Sequence, residues 1–321
     1  MNKIAILGAG MAGCYLGQRF SGQAQVSLFE KSRGPSGRLS TRRGGDFHFD
    51  HGAQFFTARS EEFLKYLAPY VKSGLVQGWK PRLVTLGGGR TFKRQWFEPH
   101  LVAVPGMSSW LKQVAADLDV QLNCTIERAE SLEGWWYLHD AQGQQHGPFD
   151  LVISTAPAAQ TAALFPQLET RLAGVRMAAC YSWMLGFEKR PDPGAWDAAV
   201  VQDSPLSWLA WNNSKPGRST KPALVVHSSN EWAEANQDSS AEEVQAQLSA
   251  ALLACAGIDS GQAAFSQIHR WRYASTPVDL EAPYLLDLAN GLAACGDWCL
   301  KGRLEGAFLS AFQLVEHLLT F

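Results

Sequence analysis

The sequence predicts an α/β protein in which a Rossmann-type dinucleotide-binding domain carries a second, mainly antiparallel domain. Three observations support this prediction. A short apolar run, a glycine turn, a helical segment and a second apolar run ending in an acid follow one another between residues 3 and 30. The chain has 321 residues, of which 46% are apolar, so two interlocked domains are expected. Strand-like runs rich in tryptophan follow between residues 158 and 284.

The glycine turn is the element around which the first domain is built. Gly8 allows the tight turn, Gly10 lets the backbone approach a pyrophosphate, and Gly13 lets the helix lie close to the strand. The helix N-terminus adds positive partial charge at the same point. Glu30 ends the second strand, where its carboxylate is placed to accept both ribose hydroxyls of a dinucleotide. This unit therefore predicts a bound dinucleotide.

Composition and charge exclude several classes of partner. The chain has 28 basic and 30 acidic residues and a formal net charge of -2, so no global basic field favours nucleic acid. No run approaches ~18 uninterrupted apolar residues, and no membrane span is predicted. The six cysteines are scattered and lack CxxC spacing, which predicts reduced thiols in a cytoplasmic protein. The first residues resemble a signal peptide, but cleavage would delete the glycine turn, so secretion is not expected.

The loop at residues 31–43 helps to distinguish between cofactors. It contains glycine, serine, proline and four arginines, whereas a domain that binds only a nicotinamide dinucleotide would more often continue directly into its next helix. Arginines in such a loop can hold a pyrophosphate, and a solvated basic loop is the alternative. From Phe47 an alternating pattern predicts a strand, and Gly52-Ala53 offers small residues on which a flat ring can lie. We interpret this segment as the floor of a flavin site.

The remaining elements follow from hydrophobic periodicity and from turn and capping residues. Helices are predicted at residues 61–67, after the serines at 108–109, at 242–256 and from 303 to 319. Strands are predicted around residue 79 and at residues 91–96, 120–125, 151–157, 181–187, 207–211, 223–227 and 292–295, with a hairpin at residues 135–146.

Stretches throughout the chain resemble the FAD-dependent amine-oxidase-like enzymes, and most closely the bacterial renalases. Those shared by many flavoenzymes are the glycine turn, Glu30-Lys31, Gly37-Arg38 and Asp50-His51-Gly52-Ala53-Gln54-Phe55-Phe56. Three later stretches carry the same likeness: Asn212-Asn213-Ser214-Lys215-Pro216-Gly217-Arg218, His269-Arg270-Trp271-Arg272-Tyr273-Ala274 and the segment at residues 296–307. Of these, Ser214 to Arg218 together with His269 to Ala274 is found in a much narrower set of enzymes. One departure is Trp211, where the resemblance would place an arginine.

The resemblance implies a glutathione-reductase-type FAD-binding Rossmann domain with an inserted, mainly antiparallel β-sheet substrate domain, as in amine oxidases and p-hydroxybenzoate hydroxylase. Residues 1–57, 100–160 and 285–321 would form the FAD-binding domain. Residues 58–99 and 161–284 would form the substrate domain. The ligand would then lie at the junction between the two domains.

The implied cofactor is FAD, bound noncovalently, because the cysteines and histidines form no recognisable flavin-attachment motif. Gly296-Asp297 at a strand end suits hydrogen bonds to a ribityl or phosphate oxygen. A helix N-terminus at residues 304–306 would direct N–H groups at the flavin N1 and C2 oxygen. The resemblance adds a backbone contact from Ile126 to the adenine. The predicted FAD contacts are Gly8, Gly10, Met11, Ala12, Gly13, Glu30, Lys31, Gly37, Arg38, Gly52, Ala53, Gln54, Phe55, Ile126, Ala156, Pro157, Gly296, Asp297, Leu304, Gly306 and Ala307.

A metal site is not predicted. His48, Asp50 and His51 are suitable residue types, but alternation along a strand would place His48 and Asp50 on one face and His51 on the other.

The resemblance implies oxidation of isomeric dihydronicotinamide dinucleotides, in which the extra hydride sits on ring carbon 2 or 6, to NAD(P)+ and hydrogen peroxide. Oxygen would be the acceptor, and the protein would be a monomer or homodimer. Two alternatives remain open: a flavin amine oxidase acting on a small amine or polyamine, and a flavin-binding protein without turnover.

Hydride transfer requires the nicotinamide ring to lie flat against the flavin, so a hydrophobic wall and polar partners for the carboxamide are needed. Trp211 or Tyr273 is predicted to supply the wall, and Asn212, His227 and Arg272 the polar contacts. Gln54 would close the site beside the flavin. The alternative for the tryptophans is that they fill a β-rich core.

Overall fold

The computed structural model describes residues 2–191 and 194–320. Residues 1 and 321, which end the predicted FAD-binding ranges, and residues 192–193 of the predicted substrate domain lie outside the described residues. The strands, in chain order, are β1 (Lys3–Leu7), β2 (Gln25–Glu30), β3 (Arg42–Gly44), β4 (Phe47–Phe49), β5 (Val76–Trp79), β6 (Leu83–Gly87), β7 (Arg90–Lys93), β8 (His100–Ala103), β9 (Val120–Leu122), β10 (Ile126–Leu132), β11 (Trp135–Asp140), β12 (Gln145–Phe149), β13 (Leu151–Ser154), β14 (Arg176–Gly186), β15 (Ala198–Val201), β16 (Leu206–Trp211), β17 (Ala223–Ser228), β18 (Phe265–Val278), β19 (Leu285–Asp287) and β20 (Leu292–Ala294).

The helices connect and cover these strands. They are α1 (Met11–Phe20), α2 (Glu61–Lys72), α3 (Ser109–Ala115), α4 (Ala158–Leu164), α5 (Glu169–Leu172), α6 (Asn230–Ala235), α7 (Ala241–Ala256) and α8 (Leu304–Leu319). Short 3-10 helices lie at Pro166–Leu168, Asn212–Ser214, Ser260–Gln262 and Asp297–Cys299.

The first sheet has the strand order β19-β20-β13-β1-β2-β9, and all of its neighbouring strands are parallel except β19 and β20. The chain adds β2 and β9 on one side of β1, and β13 and β20 on the other. The strand order therefore reverses beside β1, where the carboxyl ends of β1 and β13 leave a crevice for a ligand. Helices α1 and α8 pack together, and the three-stranded sheet β10-β11-β12 packs its Trp136, Leu138 and Phe149 against Ala5 and Val152 of the first sheet.

The second large sheet has the order β18-β14-β17-β16-β15-β6-β7, and only the pair β15 and β6 is parallel. Leu248 and Leu252 of α7 pack with Trp183 and Trp211 on one face of this sheet. Ala210 on the other face joins the core of the first domain. The predicted fold class, a Rossmann domain with a mainly antiparallel inserted sheet, is confirmed.

Most predicted elements are present, but three strands end three residues earlier than predicted. The strands predicted at residues 91–96, 120–125 and 151–157 end at Lys93, Leu122 and Ser154. The strand predicted at residues 120–125 stops at Leu122 because Asn123 has a φ of 54°. The Cys124 N–H then donates to the Glu30 carbonyl oxygen at 3.0 Å, which turns the chain along the end of β2.

Helix α2 lies in the range predicted for the substrate domain, yet it packs on α8 of the first domain. Tyr66 stacks on Phe308 with ring centroids 5.0 Å apart, and Phe63 lies 4.9 Å from the same ring. Strand β5 pairs with β8 across the predicted boundary at residue 99, with Trp79 opposite His100. The division of the chain into domain ranges stays a prediction.

A buried ion network around Asp50 joins the two domains. The carboxylate is fully buried and accepts hydrogen bonds from Arg218 Nη2 at 2.7 Å, Lys215 Nζ at 3.3 Å and Thr41 Oγ1 at 2.7 Å. The Met107 N–H donates to it at 3.0 Å. Although burial alone would raise the pKa of Asp50, the two cations and the hydrogen bonds lower it to about 2. The β3–β4 region, the start of α3 and the segment after β16 therefore converge on one charge.

Replacement of Asp50 should destabilise the fold far more than replacement of an exposed carboxylate. Asp50→Asn leaves Lys215 and Arg218 buried without a counter-ion, and we expect a loss of about 3–5 kcal/mol in the free energy of unfolding. Glu188→Gln, which removes the exposed 2.8 Å pair with Lys221, should cost less than about 1 kcal/mol. Urea denaturation of the FAD-saturated proteins measures both, and equal losses would contradict a structural role for the network.

Candidate active site

A groove of about 1710 Å³ lies between the first sheet and the large antiparallel sheet. Gly8 and Ala156, which follow β1 and β13, line one side of it. Trp208, His227 and Trp271 from the antiparallel sheet line the other side. The groove therefore begins at the crevice where the strand order of the first sheet reverses.

The N-terminus of α1 faces this groove without a side-chain cap. Gly8 has a φ of +102°, a backbone conformation that favours glycine, and Gly10 occupies the N-cap position. A Cβ added at Gly10 would meet no protein atom within 4 Å, whereas one at Gly13 would lie 1.9 Å from the Gly8 oxygen. Gly10 thus leaves room at the free N–H groups for an anion such as a pyrophosphate, and Gly13 serves the packing of α1 on β1.

Glu30 is fixed at the wall of the groove by the neighbouring backbone. Its Oε2 accepts the Ala9 N–H at 2.9 Å and its Oε1 accepts the Ser32 N–H at 2.8 Å. The side chain is 6% exposed. Each carboxylate oxygen retains a lone pair, so the geometry fits the predicted contact to ribose hydroxyls.

Arg38 and Asp297, each predicted to contact the cofactor, bind one another. Arg38 Nη1 donates to Asp297 Oδ2 at 2.8 Å, and Nη2 donates to Oδ1 at 2.5 Å. This bidentate pair ties the arginine-rich loop to the segment after β20. Both residues still line the groove.

The floor of the groove is the turn at residues 51–55. A Cβ at Gly52 would lie 2.0 Å from the Arg38 oxygen, and the Ala53 N–H donates to that oxygen at 2.9 Å. Gln54 is held from both ends of its amide: Lys215 Nζ donates to Oε1 at 3.2 Å, and Nε2 donates to the Gly52 oxygen at 3.3 Å. The floor therefore combines small residues with one fixed amide, which suits a flat ring.

The C-terminal side of the groove is formed by the segment after β20 and the start of α8. Leu304 and Ala307 line the groove in the first turn of α8. Gly306 does not line the groove, and a Cβ there would lie 2.1 Å from the Leu300 oxygen, so a glycine at this position allows the close approach of α8 to Leu300. The contact predicted between Gly306 and FAD stays a prediction.

Apart from Gly13 and Gly306, the predicted cofactor residues line one groove. They are Gly8, Gly10, Met11, Ala12, Glu30, Lys31, Gly37, Arg38, Gly52, Ala53, Gln54, Phe55, Ile126, Ala156, Pro157, Gly296, Asp297, Leu304 and Ala307.

Two of the predicted substrate contacts lie elsewhere. Trp211 is 0% exposed and packs between Phe187 and Trp196 on the α7 face of the sheet. Asn212 is 1% exposed, and its Nδ2 donates to the His48 oxygen at 2.9 Å. Neither residue lines the groove, so the structure does not bring them together with the other predicted substrate contacts.

Trp208 takes the position that was predicted for Trp211. Residues alternate between the two faces of β16, which places Trp208 and Ala210 on the groove side and Leu209 and Trp211 on the α7 side. Trp208 lines the groove and lies 5.7 Å from the Phe55 ring. His227, Arg272 and Tyr273, which were also predicted to contact substrate, line the groove.

Three histidines in the groove are held in the neutral form. Burial lowers the pKa of His51 to about 3, with Arg42, His269 and His227 adding to the effect. Burial also lowers the pKa of His227 to about 4 and that of His269 below its usual value. His51 and His269 pack against Trp271, with ring centroids 5.2 and 4.5 Å away. Sequence reasoning placed these histidines in the motif-bearing stretches but did not predict His51, His269 or Trp271 as site residues.

The charges that line the groove are unevenly distributed. Among the described residues, its carboxylates are Glu30, Glu127 and Asp297, and Asp297 is paired with Arg38. The part formed by β3 and β18 contains arginines and no carboxylate; these arginines are Arg42, Arg43, Arg270 and Arg272. No ion pair involves these four residues within the described part of the chain. This end of the groove therefore favours an anionic ligand.

Comparisons with known proteins agree with this geometry. Residues 6–69 match the NAD(P)-binding Rossmann-like domain, and residues 88–319 match the family described as flavin containing amine oxidoreductase. The chain is similar to a structure assigned as protoporphyrinogen oxidase from Exiguobacterium sp. 255-15, with a TM-score of 0.80 and 13% identity over 99% of this chain and 98% of that chain. It is also similar to putrescine oxidase bound to putrescine, with a TM-score of 0.73 and 11% identity over 100% and 99% of the two chains.

At these identities the structural likeness concerns the fold. The flavin family and the Rossmann domain together establish FAD as the cofactor, and the open space at Gly10 and the fixed carboxylate of Glu30 fit it. Within the residues described, we find no helix that combines the length and apolar character required to cross a membrane.

Loss of the space at Gly10 should remove FAD without unfolding the protein. In Gly10→Val the new side chain meets no protein atom at its Cβ and instead enters the groove at the N-terminus of α1. Absorbance of the purified protein should show FAD content reduced at least about tenfold, with an unchanged far-UV circular dichroism spectrum. Gly174→Val, at an exposed position whose Cβ is also unobstructed, is the matched control and should retain FAD. Full retention in Gly10→Val would place the pyrophosphate elsewhere.

The neutral histidines predict that stability falls on acidification. The unfolded chain takes up protons on histidine below about pH 6.5, while the folded chain takes them up on His51 and His227 only near pH 3–4. The free energy of unfolding should therefore decrease between pH 6.5 and 4, by about 1.4 kcal/mol per pH unit for each such histidine. Urea denaturation at several pH values measures this slope. His227→Gln should show a shallower slope, and an unchanged slope would mean that His227 titrates normally.

Proposed function

We propose, from the premise that this chain belongs to the flavin-containing amine oxidoreductase family, that it is an FAD-dependent oxidase of isomeric dihydronicotinamide dinucleotides, similar to the bacterial renalases. The substrates are 2- or 6-dihydro-NAD(P), and the products are NAD(P)+ and hydrogen peroxide. The single observation that carries this proposal is the charge of the substrate end of the groove, where arginines are present and carboxylates are absent among the described residues.

A small amine or polyamine is a cation at neutral pH, and its recognition favours an aromatic cage with a carboxylate. Trp208 and Trp271 could contribute to such a cage, but the acids that line the groove are on the side predicted to hold FAD. A dinucleotide carries two negative charges on its pyrophosphate, which arginine binds through paired hydrogen bonds. Arg42 and Arg43, on β3 at the groove, are suited to that role.

FAD, when bound, would supply the hydride acceptor at N5 and would pass the two electrons of that hydride to oxygen, which with protons from solvent gives hydrogen peroxide. The protein's task is to hold the dihydronicotinamide ring at the floor, with the reacting atoms about 3–3.5 Å apart. The fixed Gln54 amide and the neutral His227 offer hydrogen bonds to the carboxamide, and Trp208 offers an apolar surface. The substrate loses a hydride and its ring nitrogen lone pair restores aromaticity, so no side chain has to accept a proton. This agrees with histidines that stay neutral.

Anaerobic mixing tests the reaction. Stoichiometric 2- or 6-dihydro-NAD(P) should bleach the flavin absorbance within seconds. Putrescine should leave it unchanged because, among the described residues, the substrate end of the groove offers an ammonium group no carboxylate. Admission of oxygen should then restore the yellow spectrum with about one peroxide per turnover. Reduction by the amine alone would make the protein an amine oxidase, and reduction by neither would favour a flavin-binding protein without turnover.

Arg42 provides a test of how the substrate is recognised. Arg42→Ala should weaken binding of the dihydronicotinamide dinucleotide by about 10-fold or more, because a charge-assisted hydrogen bond contributes about 1.5–3 kcal/mol. The corresponding dihydronicotinamide riboside has no phosphate, and its rate of flavin reduction should be unaffected. Arg171→Ala, an exposed arginine on α5, is the control. Equal effects on both substrates would show that Arg42 does not bind the pyrophosphate.

A further inference from the structure

A cluster of three metal-ligand side chains lies beside the first sheet, away from the arginine-rich end of the groove. Cys124 follows β9, Asp140 is the last residue of β11, and His146 lies in β12. Their exposed fractions are 8%, 8% and 9%. Neither the flavin site nor the proposed substrate site uses any of the three side chains.

The sulfur, oxygen and nitrogen atoms of these side chains converge on one point. His146 Nε2 lies 2.9 Å from Asp140 Oδ2, Cys124 Sγ lies 3.7 Å from the same oxygen, and Cys124 Sγ lies 3.8 Å from His146 Nε2. Around tetrahedral zinc, bond lengths of about 2.3 Å to sulfur and about 2.0–2.1 Å to nitrogen and oxygen place the ligand atoms about 3.3–3.6 Å apart. The three distances differ from these values by a few tenths of an ångström.

We propose that Cys124, Asp140 and His146 form a metal site that binds Zn²⁺ through Sγ, Oδ2 and Nε2, with a fourth position available to water. A thiolate and a carboxylate together neutralise the 2+ charge, and neutral imidazole completes the set. Binding requires the Cys124 thiol to release its proton to solvent, and no atom changes oxidation state. Sulfur and imidazole ligands favour zinc over magnesium or calcium, which prefer oxygen ligands alone.

The surroundings of Asp140 orient its carboxylate for this role. Its Oδ1 accepts the N–H groups of Gln142 at 3.0 Å and Gln144 at 2.9 Å, which leaves Oδ2 directed at Cys124 and His146. Hydrogen bonds of this kind to the second carboxylate oxygen position metal ligands in proteins.

A bound ion would join the three-stranded sheet to the groove wall. The Cys124 N–H donates to the Glu30 carbonyl oxygen at 3.0 Å, and Cys124 itself lines the groove. The metal would therefore hold the β11–β12 turn against the end of β2, where Glu30 is placed for the ribose. Its role is structural, and it supports the FAD site from behind.

Cobalt substitution tests the site in the FAD-loaded protein. After treatment with a chelator and removal of that chelator, Co²⁺ titration should give one bound ion per chain and the intense d–d bands of a tetrahedral thiolate site, at wavelengths beyond the flavin absorption. Zn²⁺ should displace these bands. X-ray absorption of the zinc-loaded protein should show one sulfur ligand at about 2.3 Å.

Two ligand variants and one control variant test the assignment of the ligands. Cys124→Ser and Asp140→Asn should each weaken cobalt binding by at least about 10–100-fold, and asparagine keeps the Oδ1 acceptor on which the turn depends. Cys255→Ser, which removes a half-buried thiol on α7, is the matched control and should bind cobalt as the wild type does. Retention of the thiolate bands in Cys124→Ser, or their loss in Cys255→Ser, would overturn the assignment.

The wild-type protein decides the question even if the variants fold poorly. Failure to bind one Co²⁺ or Zn²⁺ per chain at micromolar protein, or a zinc spectrum without a sulfur ligand, would mean that the three side chains form a hydrogen-bonded cluster only. Either result would overturn the proposal and would leave the FAD site and its substrate untouched.

Discussion

The buried charge of Asp50 is the constraint on which the site depends. A carboxylate removed from water needs cations and donors, and Asp50 obtains them from segments far apart in the chain: Lys215 and Arg218 follow β16, and Met107 precedes α3. The floor of the groove begins at residue 51, directly after Asp50. The same contacts therefore fix the position of the floor between the two sheets. Lys215 also holds the Gln54 amide, so the ion network and the ligand-facing surface share one side chain.

The part of the site that depends on local backbone geometry could be predicted from sequence. Gly8, Gly10 and Glu30 lie within one βαβ unit, and the requirements of a tight turn and a free helix N-terminus fix their roles. Pairs of distant residues could not be predicted in this way. Arg38 and Asp297 were each expected to face the cofactor, but nothing in the spacing of two residues 259 positions apart indicates that they form a bidentate pair.

The substrate side shows why strand patterns are insufficient. A strand places alternate residues on opposite faces, so a shift of one residue exchanges the two faces. Trp208 and Trp211 are three residues apart in β16 and therefore lie on opposite faces, with Trp208 toward the groove and Trp211 toward α7. The sequence analysis predicted Trp211 or Tyr273 for the hydrophobic wall instead. The sequence of α7 contained a signal for the correct face. Its apolar side has to pack against large side chains from the neighbouring strands, and Trp211 is one of them.

The chemistry of the groove depends on which of its side chains are charged and which are neutral. Burial keeps the pKa values of His51 and His227 low, so these side chains offer hydrogen bonds without charge. Arg42, Arg43, Arg270 and Arg272 form no ion pair within the described residues and make their end of the groove positively charged. This distribution of charge is the observation on which the proposed hydride transfer from a dihydronicotinamide dinucleotide rests. The most direct test is a crystal structure of the FAD-bound protein with NAD+, the proposed product. The nicotinamide ring should lie on the floor beside Gln54, with the pyrophosphate within hydrogen-bonding distance of Arg42. A nicotinamide ring outside the groove, or a pyrophosphate directed away from the arginines, would contradict this account.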